Sequence, residues 1–391
     1  MDENKPVKKK RNLILRLLAF LVTLVLVAAA VFLIFNWDKL NIDALKRYFA
    51  YRTLELSDSG QAESFPYAGS SDDVFYALGD DLLICSKTSV RLYSGGGVCY
   101  VEDSVNLESP AAEVNGELAA VYSVGGSTVY LYRDRALFDT VSFDDNSILS
   151  LRLNSAGWMA VTTQDSDYKA IVSVYDASVN KRMDFRFSTA FVADAAVTDD
   201  CSALTTVSVG MDGTAFESTL SFYNIPDGQE SGVDYSLTPS STHSLGNNVI
   251  LAVQENNSIW SVGDCAVSVW DGEIVSSFDY SEKYLKDYTF SKNFAAVLIG
   301  KYRYSSQSEL YTVDEYGTAS VGRAINDQVL SLSAAGKYVA VLTADRLDIF
   351  TEDLELYSSL KGTDGARNVI MREDGTALLI SSETAHLFVP N

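Results

Sequence analysis

The sequence predicts an all-β fold, an eight-bladed β-propeller, preceded by a single transmembrane α-helix. Three observations carry that expectation. Eight segments repeat one pattern, apolar–any–apolar–aromatic, with fourth positions 37 to 48 residues apart. A four-stranded sheet with its turns needs a period of about forty residues, and repetition at that period marks a propeller. Ahead of each segment stands a turn and then an apolar run, as in Ala335-Gly336 before Tyr338 to Thr343. Such runs fit strands covered on both faces by neighbouring blades. Near the N-terminus, Leu17 to Phe35 is a run of 19 residues in which Thr23 is the only polar side chain.

In chain order, residues 1–12 form a basic tail. Lys5, Lys8, Lys9, Lys10, Arg11 and Arg16 precede the apolar run, and the positive-inside rule keeps that end in the cytoplasm. Residues 13–36 form the transmembrane helix, since a helix over Leu17–Phe35 spans about 28 Å, enough for the hydrocarbon core. The lipid bilayer is therefore the first expected partner. Ala28-Ala29-Ala30 also fits a signal-peptide cleavage site, but Val31 to Phe35 continue the apolar run beyond it. That continuation favours an uncleaved signal-anchor. Residues 37–61 read as a juxtamembrane stalk, and helical spacing over Ala44 to Tyr51 predicts a short helix within it. Residues 62–391 form the propeller, placed outside the cytoplasm at the cell membrane.

Each signature is expected to be the third strand of its blade. They are Val90–Tyr93, Val129–Tyr132, Val172–Tyr175, Leu220–Tyr223, Val267–Trp270, Leu310–Val313, Leu347–Phe350 and Ala385–Phe388. Only the sixth lacks the aromatic, with Val313 in its place. After Phe388 the eighth blade has no fourth strand of its own, and an open sheet edge invites aggregation. Ala62 to Tyr67 precedes the first full blade and is expected to supply that strand against Ala385 to Val389. Seven blades is the alternative count, should one signature belong to no blade.

Gly336-Lys337-Tyr338-Val339-Ala340-Val341 and Asp374-Gly375-Thr376-Ala377-Leu378-Leu379 resemble the turn of TolB-type and WD40-like propeller repeats. Trp270-Asp271 looks like the WD dipeptide, but it occurs once and without the Gly-His partner. The layout of basic tail, one helix, stalk and degenerate propeller resembles an uncharacterised family of clostridial single-pass membrane proteins. That family is a domain of unknown function, so the resemblance implies an architecture and no activity.

Charge and cysteine usage narrow the function classes. The chain carries −22 overall; beyond residue 36 it holds 24 basic against 50 acidic side chains, or −26. This argues against nucleic acid and anionic lipid as ligands of the propeller and fits a soluble exported domain. Cys85, Cys99, Cys201 and Cys265 fall on strands or turns that do not meet, so free, buried thiols are expected. His243 and His386 stand alone, and no Cys-x-x-Cys or histidine cluster suggests a metal. Ser94-Gly95-Gly96-Gly97 joins two strands and opens no helix, which makes it a hairpin turn rather than a phosphate loop. Asp165-Ser166-Asp167 has calcium-like spacing without the further oxygen ligands and glycine of a calcium loop. No Gly-x-Ser-x-Gly elbow or sialidase-type Asp box occurs. No catalytic residue, cofactor or metal is assigned.

Loop lengths point to one face. The second-to-third-strand turn and the blade-to-blade connection share a face of a propeller. The former is expected to be long over Gln164–Lys169, Gly210–Glu217 and Lys301–Ser308, the latter over Thr238–Asn247 and Ser281–Lys286. Tyr168, Tyr284, Tyr302, Arg303 and Tyr304 would gather there, and aromatics and Arg are enriched in binding hot spots. The expected function is thus a non-enzymatic binding or scaffold module for an envelope protein, peptide or glycan. The alternative is a propeller enzyme, a lyase or glycan hydrolase, working through carboxylates in the central funnel. A perturbed, paired carboxylate cluster there would favour the enzyme.

Overall fold

An apolar run flanked by turns must be covered on both faces, and in this chain the runs become the second strands of eight four-stranded antiparallel sheets. Leu118–Ser123, Tyr338–Thr343 and Phe294–Gly300 are buried along their whole length. The computed structural model describes residues 18, 20–24, 27, 42–52, 54–67, 69–70, 72–143, 146–226, 238–256, 258–363 and 365–390. The transmembrane segment expected over residues 13–36 lies outside them apart from a few positions. No helix of the described residues is long and apolar enough to cross a membrane. A helix does form at Ile42–Tyr51, over the stretch with helical spacing, with Asp43 in its first turn where a carboxylate suits the helix dipole. The chain divides at Thr53, and everything from Leu54 onward is the propeller.

All eight signatures are third strands. They lie within Ser89–Tyr93, Thr128–Arg133, Ala170–Tyr175, Ala215–Asn224, Ala266–Trp270, Ser308–Asp314, Arg346–Thr351 and Thr384–Phe388. The structure also explains the aromatic, which packs against the preceding blade. Tyr175 meets Phe143 edge-on at 6.0 Å, Tyr223 meets Phe187 at 5.5 Å, and Trp270 lies 4.3 Å from Phe222. Phe350 and Phe388 enter the cores of blades 6 and 7 in the same way. Where Val313 replaces the aromatic, the buried Trp260 of blade 5 fills the shared core. The wedge between blades needs one large ring per interface, and either side can supply it.

Ring closure follows the expectation with a shorter ladder. Phe65 pairs with Ala385 and Pro66 with Thr384, and Gln61 bridges to Phe388. The Val389 amide donates to the Gly60 carbonyl at 2.8 Å, and the Tyr67 hydroxyl donates to the Ser381 carbonyl at 2.6 Å. Phe65 stacks on Tyr93 of blade 1 at 5.7 Å, so the closing strand joins blade 8 to blade 1. Gly97 makes room for it: with φ at +84° it suits only glycine, and a Cβ there would collide with the Phe65 ring.

Two expected loops are corrected. Gly210–Glu217 is not a loop, because strands Ala203–Asp212 and Ala215–Asn224 continue their ladder to the pair Asp212↔Ala215 and leave only Gly213-Thr214 as the turn. Thr238–Asn247 is not a blade-to-blade connection either, since it contains Ser241–Ser244, the outermost strand of blade 4. The four cysteines are free as expected, but only Cys85 is buried; Cys99 is exposed and Cys201 and Cys265 are intermediate.

Candidate functional site

Innermost strands begin on the blade-to-blade face and ring the central channel, so whatever opens them surrounds the channel mouth. Five carry the same irregularity. In blades 3 to 7 the ladder between first and second strands shifts just after its start, leaving Leu149, Ala193, Leu251, Lys286 and Leu330 as the extra residue. A bulge turns one side chain out of the ladder and re-aims it. Leu149, Leu251 and Leu330 are accordingly exposed, as is Phe191 at the first position of its strand. Beside them the blade 4 hairpin extends beyond the last pairing of its neighbour, with Met211 and Phe216 opposite each other and both exposed. These side chains form an apolar crown around the mouth. On the opposite face Val98, Ile274 and Tyr316 are exposed too, but in third-to-fourth-strand turns on the outer rim, away from the channel.

The residues expected from the sequence fall on the same face in two groups. Tyr284 opens the innermost strand of blade 6 and pairs with Gly300, which places it at the base of loop 301–307. That loop is held from below by the bulge residue Lys286. Its ammonium donates to the Ser305 carbonyl and, at 3.1 Å each, to the Gln307 carbonyl and Ser308 Oγ. Burial lowers the Lys286 pKa. Above it, Tyr302, Arg303 and Tyr304 are exposed, Tyr304 at 93%, and the Lys301 ammonium lies 5.6 Å from the Tyr302 ring. Tyr168 does not join them. It sits in loop 165–169 of blade 3, three blades away, under the Arg186 guanidinium at 5.9 Å.

Below the mouth, three innermost strands meet in a charged seam. Arg152 of blade 3 donates to Asp194 of blade 4 through Nε at 2.8 Å, and to Glu113 of blade 2 at 3.2 Å. Asp194 also accepts the amide of Val253 in blade 5 at 3.0 Å, so the seam ties four successive blades. Glu113 is pushed up to about 7. Burial is the main cause, opposed by Arg152 and reinforced by the Asp194 charge. The Arg152 guanidinium is held firmly protonated, burial being outweighed by Asp194 and Glu113. Burial also raises Tyr76, to about 12, and Tyr122 beside it. Asp287, on the innermost strand of blade 6, is raised by burial too. Glu113 does not face a second carboxylate across a gap: it shares an arginine with Asp194, and the Asp194 carboxylate is fully engaged. Among the described residues no group of three or more His, Cys, Asp or Glu is arranged to hold a metal ion.

The crown and the seam escaped the sequence reading. The doublets Ile148-Leu149, Ile250-Leu251 and Val329-Leu330 do not mark the bulges, because Val74-Phe75 and Val369-Ile370 lie in unshifted strands. For the seam, the one signal is that Glu113, Arg152 and Asp194 stand 39 and 42 residues apart, one blade each.

Comparison with known proteins gives the fold and a family. The crystal structure of the C-terminal WD40 domain of Sif2 is similar, with a TM-score of 0.59 at 12% identity, covering 85% of this chain and 99% of that one. No curated protein matched. Residues 51–386 match the model of a family described as a family of unknown function (DUF5711).

Proposed function

Because the chain belongs to that family of unknown function, we propose a role from its own surface: it is a membrane-anchored, extracytoplasmic binding module that engages an envelope protein or peptide through the crown. The observation that carries this reading is the repeated bulge, which presents an exposed leucine from each of blades 3, 5 and 7 around one opening. Clustered exposed apolar surface costs solubility and marks interaction sites. Tyr284, Tyr302, Arg303 and Tyr304 extend the crown with residue types that dominate binding energy. Leu17–Phe35 and its basic flank support the anchor, with the N-terminus in the cytoplasm. Gly60 and Gln61 enter the propeller at the Phe388 end of blade 8, on the face opposite the crown. The test is crosslinking on intact membranes followed by purification. Replacing Tyr302, Arg303 and Tyr304 together with alanine should abolish capture of the crosslinked partner at unchanged thermal stability, since truncated hot spots each cost about 2 kcal/mol or more. Full retention moves the site elsewhere.

A second reading, a propeller lyase or glycan hydrolase, is favoured by Glu113 alone. A carboxyl at about 7 is tuned for general acid–base work. Cleavage of envelope polysaccharide by the wild type and its loss in Glu113→Gln would establish it; no cleavage by the wild type removes it.

A further inference from the structure

A second site adjoins the crown on its outer side, where the Lys169 ammonium lies 4.5 Å from the Phe191 ring. Between the end of the blade 2 outer strand and the third and outer strands of blade 3 lies a groove of 380 Å³, within the size range of ligand pockets. Its interior charges are paired in advance. Asp184 accepts from Ser173 Oγ at 2.7 Å and lies 2.8 Å from the Lys181 ammonium and 3.5 Å from the Arg186 guanidinium. Loop 165–169 walls the groove: Asp165 accepts the Asp167 amide at 2.7 Å, fixing the loop, and Tyr168 carries Arg186 over its ring. Asn146 adds an amide to the lining.

This chemistry disfavours two kinds of ligand. An anion meets Asp165 and Asp167 at the wall, while both cations are already committed to Asp184. An apolar ligand would strip water from carboxylates, hydroxyls and an amide without replacing their hydrogen bonds. A neutral hydroxyl-rich ring satisfies both kinds of group, because each hydroxyl donates to a carboxylate and accepts from Arg, Lys or Asn. Its C–H face packs on an aromatic ring such as Tyr168. We propose that this groove is a saccharide site, taking a short neutral glycan.

The full-length chain in detergent is titrated with maltotetraose, cellotetraose and chitotetraose by calorimetry, with saturation-transfer NMR as a direct readout of contact. At least one binds saturably. Tyr168→Ala and the double variant Asp165→Asn/Asp167→Asn each weaken it by about tenfold, the size expected for losing a hydrogen bond to a charged group or its aromatic support. Both changes lie in a loop, and thermal unfolding checks that the variants stay folded. Absence of saturable binding for all three sugars overturns the proposal, as does equal affinity in wild type and variants. Binding of penta-lysine in place of sugar, lost in the double variant, also overturns it and assigns the acidic wall to a cationic peptide.

Discussion

Blades 1, 2 and 8 and blades 3 to 7 are built from the same repeat, yet they treat the channel mouth differently. In the first group the innermost strand pairs with its neighbour without a shift, from Val74↔Cys85 to Leu78↔Asp81, from Pro110↔Ser123 to Asn115↔Leu118 and from Asn368↔Ile380 to Met371↔Ala377. In the second group every innermost strand bulges at the same place. The regular arc holds the seam between the chain ends, where an uninterrupted ladder gives the most backbone pairing. The bulged arc gives up one pair per blade, and in three of its blades the released residue is an exposed leucine. One repeat can therefore serve closure on one side of the ring and presentation on the other.

The strongest challenge to this contrast is to remove side chains from both arcs. Phe65 is 7% exposed and stacks on Tyr93, whereas Leu251 is 51% exposed at the crown. Phe65→Ala should cost about 3–5 kcal/mol, the range for emptying a buried aromatic site, and deleting residues 62–67 should cost more because it also removes the closing strand and bares the edge of Thr384–Phe388. Leu251→Ala should stay within about 0.5 kcal/mol, as surface substitutions do. Urea unfolding of the three variants measures this. Equal costs at Phe65 and Leu251 would make the crown structural and erase the difference between the arcs.

The part of the fold legible in the sequence was the part set by inter-blade packing. Val129-Tyr130-Leu131-Tyr132 announces its strand because alternation and a ring at the wedge both leave a residue-type signature. The bulges left none that could be separated from it: Ile250-Leu251 reads as an ordinary apolar run, and only the register shows that Leu251 faces out. Gly210 to Glu217 misled in the opposite direction, since Asp212-Gly213 reads as the middle of a loop although it closes a ten-residue ladder. Tyr302-Arg303-Tyr304 was found because a long loop shows in the spacing of strands. The Glu113–Arg152–Asp194 seam was hidden because single charged residues one blade apart look like ordinary strand polarity until the blades converge.

That seam is where the two arcs meet, and it carries the smallest and sharpest test. Glu113 comes from regular blade 2, Arg152 and Asp194 from bulged blades 3 and 4. Arg152 is already committed to Asp194, so it compensates Glu113 only in part and burial wins, lifting the carboxyl from 4.5 to about 7. A folded-state pKa above the unfolded one means that the native state binds the proton more tightly. The resulting stability is complete below about 4.5 and is lost as pH rises through about 7. Glu113→Gln keeps the shape and is neutral at every pH, so it lacks this dependence. The stability of the wild type relative to Glu113→Gln should therefore fall between about pH 5 and about pH 8, as read from urea midpoints. Other groups with raised pKa values, such as Asp73 and Asp287, titrate in both proteins and cancel in the difference. A flat difference would mean that Glu113 stays ionised throughout, leaving the seam a plain ion triad and depriving the enzyme reading of its general acid.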